Sequence, residues 1–358
     1  MLDKNAKIYV AGHRGLVGSA IWKNLQDKGY TNLVGRTHKE LDLLDGTAVR
    51  NFFDEEQPEY VFLAAAFVGG IMANSIYRAD FIYKNLQIQQ NIIGESFRHN
   101  VRKLLFLGST CIYPRDAEQP MKEDVLLTSP LEYTNEPYAI AKIAGLKMCE
   151  SFNLQYGTNY ITVMPTNLYG PNDNFDLERS HVLPAMIRKI HLAHCLKQGD
   201  WDAICKDLNQ RPVEGIDGNS SKEDILAILA KYGISNSEVK LWGTGTPLRE
   251  FLWSEEMADA SVFVMEHVDF KDTYKQGDKD IRNCHINIGT GKEISIRELA
   301  ELIVSTVGYQ GQLTFDSTKP DGTMRKLTDP SKLHALGWHH KVEIEEGVQR
   351  MYNWYLGR

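Results

Sequence analysis

The alternation of short apolar runs with amphipathic stretches between residues 7 and 165 constrains this chain more than any other feature. The apolar runs have the length and the β-branched or aromatic content of strands, and they read KIYVA, NLVGR, EYVFLAAA, KLLFLGS and NYITVMP. The stretches between them have helical periodicity, the longest over residues 76–99 and 137–156. A repeated strand–helix–strand order predicts an α/β fold built on a Rossmann-type, doubly wound parallel sheet.

Past residue 170 the pattern breaks into shorter pieces, which we interpret as a smaller lobe. The predicted elements there are the runs KLWG and HINIG and helices over residues 180–194, 254–267, 295–307 and 343–355. A chain of 358 residues is longer than one hydrophobic core usually supports. We therefore expect a Rossmann domain over residues 1–170, with later segments crossing back to it, and a smaller α/β lobe over residues 171–358 that mainly binds substrate. Residues 196–238, two helix-patterned stretches around the loop-forming PVEGIDGNSS, are interpreted as a surface insertion.

Composition excludes several classes of protein. No run approaches the roughly 18 apolar residues of a membrane helix, and the first residues carry no export signal. A net charge of −7 argues against a nucleic-acid binder, while leaving room for a local basic pocket around an anionic ligand. The five cysteines are scattered without C-x-x-C spacing, which suits reduced thiols better than disulfides or structural zinc. We expect a cytoplasmic protein with no metal and with neither a membrane nor a nucleic-acid partner.

Three glycines, Gly12, Gly15 and Gly18, lie between the first predicted strand and the first predicted helix. Without Cβ atoms, the backbone there can turn tightly and approach a pyrophosphate at the N-terminus of the helix. The spacing is G-x-x-G-x-x-G, whereas the common dinucleotide fingerprint is G-x-G-x-x-G. The pattern predicts a dinucleotide site at the first strand–helix turn.

The end of the second strand bears on the choice of cofactor. An NAD-preferring site usually carries Asp or Glu there to bind the ribose hydroxyls, but this strand ends in Gly35 and Arg36. Arg36 and Arg14 offer guanidinium donors for a 2′-phosphate, which favours NADP(H). The alternative interpretation is a pair of solvated surface arginines.

A serine, a tyrosine and a lysine form the next constellation. Tyr138 and Lys142 are four residues apart at the start of a predicted helix, so their polar ends can meet over one ligand. A tyrosine beside an ammonium group is expected to be more acidic than its free value of about 10 and to protonate the oxygen formed when a hydride reaches a carbonyl. Ser109, at the end of KLLFLGS, would hydrogen-bond to the same oxygen. With the glycine loop, this trio predicts a nicotinamide-dependent enzyme that interconverts a ketone and an alcohol.

Several motifs resemble the extended short-chain dehydrogenase/reductase superfamily and, more narrowly, the GDP-L-fucose synthase family of GDP-4-keto-6-deoxy-D-mannose 3,5-epimerases/4-reductases. They are AGHRGLVGSA, LAAAFVGGI, LGSTCIYP, TNEPYAIAKIAG, MPTNLYGPNDNF, SHVLPA, GTPLREFL, INIGTG and KPDGTMRKL. The resemblance covers essentially the whole chain except residues 196–238. It implies conversion of GDP-4-keto-6-deoxy-D-mannose to GDP-L-fucose with NADPH, and a homodimer whose interface is formed by the helices over 76–99 and 137–156.

Epimerisation fits the same predicted site. A 4-keto group acidifies the hydrogens on C3 and C5, because the charge of the resulting enolate falls on the oxygen that the trio surrounds. Cys111 lies two residues after Ser109, and strand alternation would point both side chains into one pocket, where Cys111 could act as the base. The resemblance implies that His181 of SHVLPA is the partner acid. The alternatives are a small buried hydrophobic residue at position 111 and a helix cap or packing residue at position 181.

For the nucleotide, the resemblance implies that the second lobe holds GDP. Arg249 and Lys326 would contact the diphosphate, and Trp242 would line the base or ribose. Asn167 and Arg188 are further candidates, and Lys189 stands where the family can present a second arginine. The predicted substrate contacts are therefore Ser109, Cys111, Asn167, Arg188, Lys189, Trp242, Arg249 and Lys326.

The predicted cofactor site extends beyond the glycine loop. Its expected residues are Gly12, Arg14, Gly15, Leu16, Val17, Gly18, Arg36, Ala64, Ala65, Tyr138, Lys142, Pro165, Asn167, Leu168 and His181. Two alternative functions stay open at this point. One is a C4-reductase of a related GDP-4-keto sugar, such as a heptose, with little epimerase activity; the other is a nucleotide-sensing protein that has lost catalysis.

Overall fold

The computed structural model describes residues 2–319 and 321–357, with the backbone alone described at Ile71 and Met72. Within these residues the chain divides into two compact units. The first unit consists of the residues up to Asn172, Glu250–Lys292 and Leu327–Val342. The second consists of Asp173–Arg249, Glu293–Lys326 and the residues from Glu343 onward.

The strands and helices follow one another along the chain in the alternating order that the sequence predicts up to residue 165. The strands are β1 Ile8–Ala11, β2 Leu33–Val34, β3 Tyr60–Leu63, β4 Lys103–Leu107, β5 Tyr160–Pro165, β6 Asn167–Tyr169, β7 Glu238–Trp242, β8 Leu248–Arg249, β9 Phe251–Trp253, β10 Ile286–Ile288, β11 Ile294–Ser295 and β12 Gln312–Asp316. The helices are α1 Leu16–Asp27, α2 Gly46–Glu56, α3 Ile71–Ile76, α4 Arg78–Arg98, α5 Glu136–Tyr156, α6 Val182–Gln198, α7 Trp201–Gln210, α8 Lys222–Lys231, α9 Ser254–His267, α10 Ile296–Val307, α11 Ser331–Ala335 and α12 Ile344–Leu356.

A parallel sheet forms the centre of the first unit. Among the described residues it has six strands in the order β10-β5-β4-β3-β1-β2. The chain runs outward from β1 to β2 and then returns to β3 on the other side of β1, which places a topological switch point between β1 and β3. The predicted α/β, doubly wound fold is confirmed.

Both faces of this sheet are buried, which explains the continuous apolar runs of the sequence. Along β1, Ile8 and Val10 belong to one hydrophobic core and Tyr9 and Ala11 to the other. The first core also contains apolar side chains of α1 and α9, and the second contains those of α2 and α4. The sheet therefore fixes the carboxyl ends of β1, β3, β4 and β5 at one edge of a rigid layer.

Two elements that the sequence analysis assigned to the smaller lobe belong to the first unit. The run HINIG forms β10, which pairs in parallel with β5, and the helix over 254–267 is α9, which packs on α1. Both elements are strongly apolar. Strand β10 extends the parallel sheet, and α9 contributes to the hydrophobic core on one of its faces. Sequence order alone does not reveal this return of the chain.

The second unit contains two small sheets and a group of helices. Strands β7 and β12 pair in parallel, β8 and β11 pair antiparallel, and α6 packs against α7 and α10. Residues 196–238, which the sequence pattern suggests are a surface insertion, do not merely decorate the surface of this unit. Ile204 and Leu208 of α7 and Leu229 of α8 are fully buried, so this segment supplies part of the hydrophobic interior of the unit.

No helix in residues 2–319 and 321–357 is both long and apolar enough to cross a membrane.

Candidate active site

The glycine loop follows β1 and packs tightly against the end of β3. Gly12 has φ +85°, and a Cβ atom there would lie 2.9 Å from the backbone nitrogen of Ala65. A Cβ atom at Gly18 would lie 2.0 Å from the carbonyl oxygen of Gly12, so neither position accepts a side chain without rearrangement. The backbone of Ala64 donates to the carbonyl oxygen of Ala11 at 3.1 Å, which brings the end of β3 beside the loop. These close approaches leave a backbone cradle of the kind that a dinucleotide pyrophosphate occupies.

Helix α1 begins directly after this cradle, with Leu16 and Val17 in its first turn. Gly15 is its N-cap, and in the described structure no side chain hydrogen-bonds to the first backbone N–H groups. Such groups attract phosphate oxygens, and the helix dipole adds to the attraction. The residues at this end of the sheet therefore fit a dinucleotide.

The arginines predicted to bind a 2′-phosphate lie near one another beside the end of β2. Arg36 is half-buried, donates to Glu56 and lies with its guanidinium carbon 5.4 Å from the ring centroid of Phe52. Hydrogen bonds from Thr37 lower the pKa of Glu40, and the charges of Arg14 and Arg36 lower it further. Arg14 is exposed. Glu56, which sequence reasoning missed, also accepts from Lys7 at 3.1 Å and orients Arg36 through an ion pair.

Ser109 and Cys111 lie side by side after β4. The oxygen Oγ of Ser109 is 2.7 Å from Sγ of Cys111, and the backbone N–H of Cys111 donates to the same Oγ at 3.3 Å. Strand alternation is the wrong reason for this contact, because β4 ends at Leu107 and Thr110–Ile112 form a 3₁₀ turn. The side chain of Ser109 caps that turn and thereby brings the two groups together.

Tyr138 and Lys142 occupy the first turns of α5, on one face as predicted. The ammonium of Lys142 donates to the carbonyl oxygen of Leu107 at 2.8 Å and lies 5.7 Å from the ring centroid of Tyr138. Leu107 is the last residue of β4, two positions before Ser109. Lys142 thus ties the start of α5 to the end of the strand that precedes Ser109 and Cys111.

Burial governs the acidity of this pair. It raises the pKa of Tyr138 well above its usual value, and negative charge on Cys111 raises it further. The expectation that Lys142 makes Tyr138 more acidic is therefore wrong, because burial dominates and shifts the pKa of Tyr138 in the opposite direction. Burial also lowers the pKa of Lys142 to about 8, against an opposing effect of Cys111. At neutral pH the phenol of Tyr138 keeps its proton.

Residues after β5 lie at the same edge of the sheet. Pro165 ends β5 and is buried, and Asn167 and Leu168 belong to β6, which pairs with β9. The amide nitrogen of Asn167 donates to the backbone oxygen of Glu250 at 2.8 Å. The predicted cofactor residues of the first unit thus follow β1, β2, β3, β4 and β5, where a doubly wound sheet binds ligands.

His181 belongs to the second unit, whereas Cys111 belongs to the first. It is the N-cap of α6, but its side chain makes no capping hydrogen bond, so the alternative role as a cap has no geometric support. The residue is accessible to solvent, but neighbouring protein atoms exclude part of the water around its imidazole. This partial desolvation lowers the pKa of His181 below the usual value. At neutral pH the imidazole is neutral.

Arg188 is a correction to the predicted substrate site. It is 1% exposed, its Nε donates to Asp207 Oδ2 at 2.9 Å, and its Nη1 donates to the carbonyl oxygen of Phe175 at 3.1 Å. Its Nη2 donates to the carbonyl oxygen of Arg211, so all three guanidinium nitrogens have protein partners. Arg188 therefore stabilises the interior of the second unit and is not available to a phosphate.

The other predicted nucleotide residues of the second unit have a different character. Lys189 is buried, and burial lowers its pKa to about 8. Burial likewise lowers the pKa of Arg249, whose Nη1 donates to the backbone oxygen of Leu248 at 2.7 Å. Trp242 is 63% exposed, and Lys326 is half-buried. An exposed indole suits stacking on a base, and a buried cation gains free energy when an anion binds beside it.

A buried polar network behind Cys111 was not foreseen. The phenol of Tyr113 donates to Asn287 Oδ1 at 2.5 Å and lies 2.9 Å from Nε2 of His285. Asn287 in turn donates to the carbonyl oxygen of Met121 at 3.0 Å. The network fixes Tyr113, two residues after Cys111, against β10. Its signal in the sequence is slight, namely polar residues at alternate positions of the apolar run HINIG.

Comparison with known proteins places these residues in a family. The model of the NAD dependent epimerase/dehydratase family matches residues 8–211 and 213–289. GDP-L-fucose synthase 1 of Arabidopsis thaliana is 51% identical over 356 residues, covering 99% of this chain and 95% of the relative. GDP-L-fucose synthase of Escherichia coli is 47% identical over 350 residues, covering 98% and 96%.

A solved structure agrees with these relatives in fold. The GDP-D-glycero-L-gluco-heptose synthase from Campylobacter jejuni, solved in the presence of NADPH, is 46% identical and superposes with a TM-score of 0.92 over 99% of this chain and 100% of that one. The family model and the curated relatives each span most of the chain. The chain therefore belongs to the NAD dependent epimerase/dehydratase family, and the two curated relatives compared above are GDP-L-fucose synthases.

Proposed function

We propose that this protein converts GDP-4-keto-6-deoxy-D-mannose to GDP-L-fucose, by epimerisation at C3 and C5 followed by NADPH-dependent reduction at C4. The observation that carries the proposal is the grouping of Ser109, Cys111, Tyr138 and Lys142 around the end of β4. These groups suit both reactions because each reaction develops negative charge on the same C4 oxygen.

In the reduction, Tyr138 is the proton donor. NADPH, when bound, supplies the hydride to C4. The phenol of Tyr138 retains its proton at neutral pH and can give it to the developing alkoxide. Ser109 donates a hydrogen bond to the same oxygen, and the ammonium of Lys142 favours the phenolate that remains.

In the epimerisation, Cys111 and His181 exchange protons with opposite faces of the sugar. Cys111, as the thiolate, removes the proton from C3 or C5, and the electron pair moves into the enolate. His181, which is neutral in the free site, first takes up a proton from solvent and returns it from the other face as the imidazolium. Proton exchange with solvent then regenerates the thiolate and the imidazolium. Repetition at the second carbon inverts both centres before C4 is reduced. Ser109 stabilises the enolate oxygen and also contacts the thiol.

For the cofactor, the cradle formed by Gly12 and Gly18 fits the pyrophosphate, and Arg14 and Arg36 fit the 2′-phosphate of NADP(H). Ala64, Ala65, Pro165 and Leu168 line the remaining path along the carboxyl ends of the strands. Asn167 and His181 complete the predicted set near the nicotinamide.

For the substrate, the second unit holds GDP. Lys189, Arg249 and Lys326 neutralise the diphosphate, and Trp242 provides the exposed aromatic surface for the base or ribose. Residues 171–358 thus act mainly as the substrate-binding lobe, with Glu250–Lys292 and Leu327–Val342 crossing back to the first unit.

The direct test is to incubate the protein with NADPH and GDP-4-keto-6-deoxy-D-mannose in heavy water. We expect NADPH oxidation and GDP-L-fucose that carries deuterium at C3 and C5. A product with no deuterium at either carbon would contradict the epimerase half, and an unchanged NADPH absorbance would contradict the reductase half.

A second candidate is C4 reduction of a related GDP-4-keto heptose with little epimerisation. It is favoured by the 46% identity to the Campylobacter jejuni heptose synthase, which approaches the identity to the fucose synthases. The ratio of kcat/KM for the 6-deoxyhexose and heptose substrates decides between the two. A ratio above 1 supports the first proposal, and a ratio below 1 supports the second.

We further propose a cytoplasmic homodimer. Helices α4 and α5 leave large apolar side chains exposed, including Tyr83 at 67%, Leu154 at 50% and Tyr156 at 54%. A second copy of this face would cover them. Each cysteine of the described structure is a free thiol, which suits a reducing compartment. Light scattering of the purified protein tests the dimer.

A further inference from the structure

Glu250 is a fully buried carboxylate that neither proposed reaction uses. It is 0% exposed, and its Oε1 accepts from the backbone N–H groups of Thr290 at 2.6 Å and Gly291 at 2.8 Å. Its Oε2 accepts from the backbone N–H of Thr328 at 2.9 Å and also from the hydroxyl of that residue. Burying a charged carboxylate is costly unless several donors replace water, and here backbone donors of two other chain segments do so.

The partners of Glu250 lie where the chain passes between the two units. Glu250 is the first residue of the segment Glu250–Lys292, Thr290 and Gly291 are near its end, and Thr328 is the second residue of Leu327–Val342. One side chain of the first unit therefore ties together three places at which the chain leaves or re-enters that unit. The fit is close, because a Cβ atom at Gly289 would lie 2.4 Å from Oε1 of Glu250.

Two proposed diphosphate ligands sit at these crossings. Arg249 directly precedes Glu250, and Lys326 is two residues before Thr328. The chain segments that end in Arg249 and Lys326 are also joined within the second unit. There the backbone N–H of Leu248 donates to the carbonyl oxygen of Met324 at 2.8 Å. Arg249 also pairs with Ile294 in the β8–β11 ladder. The backbone segments that carry the two cations are thus joined once by the bond between Leu248 and Met324 and once by the bonds between Thr328 and Glu250.

We infer that Glu250 is a positioning residue for the GDP end of the substrate: by fixing the backbones that follow Arg249 and Lys326, it sets the two cations at the separation that a diphosphate requires. This inference rests on the proposed function, because it takes the diphosphate of GDP as the ligand of both cations. Preorganisation of this kind raises affinity by removing the entropy cost of ordering the ligands on binding. Glu250 itself touches neither the diphosphate nor the reacting carbons.

The test is Glu250→Gln. In the wild type, backbone N–H groups donate to both carboxylate oxygens of Glu250, and in the variant an amide NH₂ group would replace one of these acceptors. Calorimetry should show a dissociation constant for GDP raised by about 10-fold or more, since hydrogen bonds to a charged group are the strongest kind. The dissociation constant for NADPH should change by less than about 2-fold. KM for the GDP-sugar should rise while kcat at saturation stays within about 3-fold, because the variant loses ground-state and transition-state binding of the GDP-sugar equally.

Glu150→Gln is the matched control. Glu150 is also buried in the first unit, where it accepts from Lys147 at 2.8 Å and from the backbone N–H of Cys284 at 3.2 Å, but it lies away from the crossings. It should lower thermal stability without changing GDP affinity. If Glu250→Gln does not fold, Thr328→Val removes only the hydroxyl donor and should raise the GDP dissociation constant by a smaller factor.

The outcomes separate the inference from the proposed function. Unchanged GDP affinity in both Glu250→Gln and Thr328→Val, or equal losses of GDP and NADPH affinity, would overturn the positioning role alone. A wild-type protein that binds no GDP would overturn the proposed function and the inference with it.

Discussion

The hydroxyl oxygen of Ser109 lies 2.7 Å from the sulfur of Cys111, within hydrogen-bond distance. A 3₁₀ turn follows the carboxyl end of β4, and the backbone N–H of Cys111 in that turn donates to the same hydroxyl oxygen and helps to hold it beside the sulfur. A hydroxyl that stabilises an oxyanion and a thiol that removes a neighbouring proton are useful to one substrate only at such a distance. In the proposed reaction, the groups that would abstract the proton and stabilise the charge are therefore neighbours in this turn.

Replacing the thiol should separate the two proposed reactions. In Cys111→Ala, exchange of the C3 and C5 hydrogens with heavy water should slow by about 100-fold or more, because a positioned base is lost. The dissociation constant for NADPH should not change, since the thiol is assigned to the sugar. Mass spectrometry of the sugar measures exchange, and fluorescence quenching measures NADPH binding. Exchange at the wild-type rate would contradict the assignment of Cys111.

Tyr138→Phe removes the proposed proton donor and leaves the ring in place. We expect kcat for NADPH oxidation to fall by about 100-fold or more, because no other phenol is assigned to the C4 oxygen. Deuterium exchange at C3 should persist, since Cys111 and Ser109 are intact. The control is Tyr83→Phe, an exposed phenol on α4, which should leave kcat unchanged. Reduction by Tyr138→Phe at full rate would exclude Tyr138 as the donor.

Lys189 should make GDP binding depend on pH. Burial lowers the pKa of Lys189 to about 8, and a diphosphate beside it would favour the charged form and raise that pKa again. The affinity for GDP should therefore be constant below this pKa and fall as the pH rises through it, by up to about tenfold per pH unit. When the pH is close to the pKa of Lys189, the binding of GDP should be accompanied by the uptake of protons.

Calorimetry in buffers of different ionisation enthalpy measures this uptake directly. Lys189→Arg is the matched variant, because arginine stays charged over the whole range. It should bind GDP with little pH dependence between pH 7 and 9, the interval around the lowered pKa of about 8. A wild-type affinity that stays flat over that interval would show that Lys189 does not contact the diphosphate.

The buried pair of Arg188 and Asp207 should matter for stability and not for GDP. Their side chains are 1% and 4% exposed, and Asp207 also accepts from the phenol of Tyr355 at 2.5 Å. Asp207→Asn leaves a buried guanidinium without its counter-ion, so the free energy of unfolding should fall by about 3 kcal/mol. Urea denaturation measures the change.

An exposed ion pair provides the control for this prediction. Glu346 pairs with Arg350 on the surface of α12, so Glu346→Gln should change the free energy of unfolding by less than about 0.5 kcal/mol. Asp207→Asn should still bind GDP with wild-type affinity in the folded state. A large loss of GDP affinity in Asp207→Asn would indicate that Arg188 is a substrate ligand after all.

Arg36 should determine the preference for NADP(H). Arg36→Ala removes a half-buried guanidinium and should raise KM for NADPH by about 10-fold to 100-fold, as expected for loss of a charge-assisted phosphate contact. KM for NADH should change much less, because NADH has no 2′-phosphate. Steady-state kinetics with both cofactors checks this, and equal effects on the two would favour a purely structural ion pair between Arg36 and Glu56.

The sequence by itself determined the features that depend on local periodicity and spacing. Apolar runs buried on both faces predicted the parallel strands, and the glycines between β1 and α1 predicted the cradle that Gly12 and Gly18 form. The four-residue spacing of Tyr138 and Lys142 predicted their shared helical face. These features follow from the geometry of one strand, one turn or one helix, which neighbouring residues set.

The tertiary structure decided what distant segments do to each side chain. Arg188 has the sequence context of a phosphate ligand, yet Asp207 on another helix binds it in the interior. The acidity of Tyr138 is set by burial rather than by Lys142, and the importance of Glu250 arises from segments 40 and 78 positions away along the chain. The burial of a side chain and its long-range hydrogen bonds depend on many residues that come together only in the folded chain. A local sequence pattern therefore does not predict them.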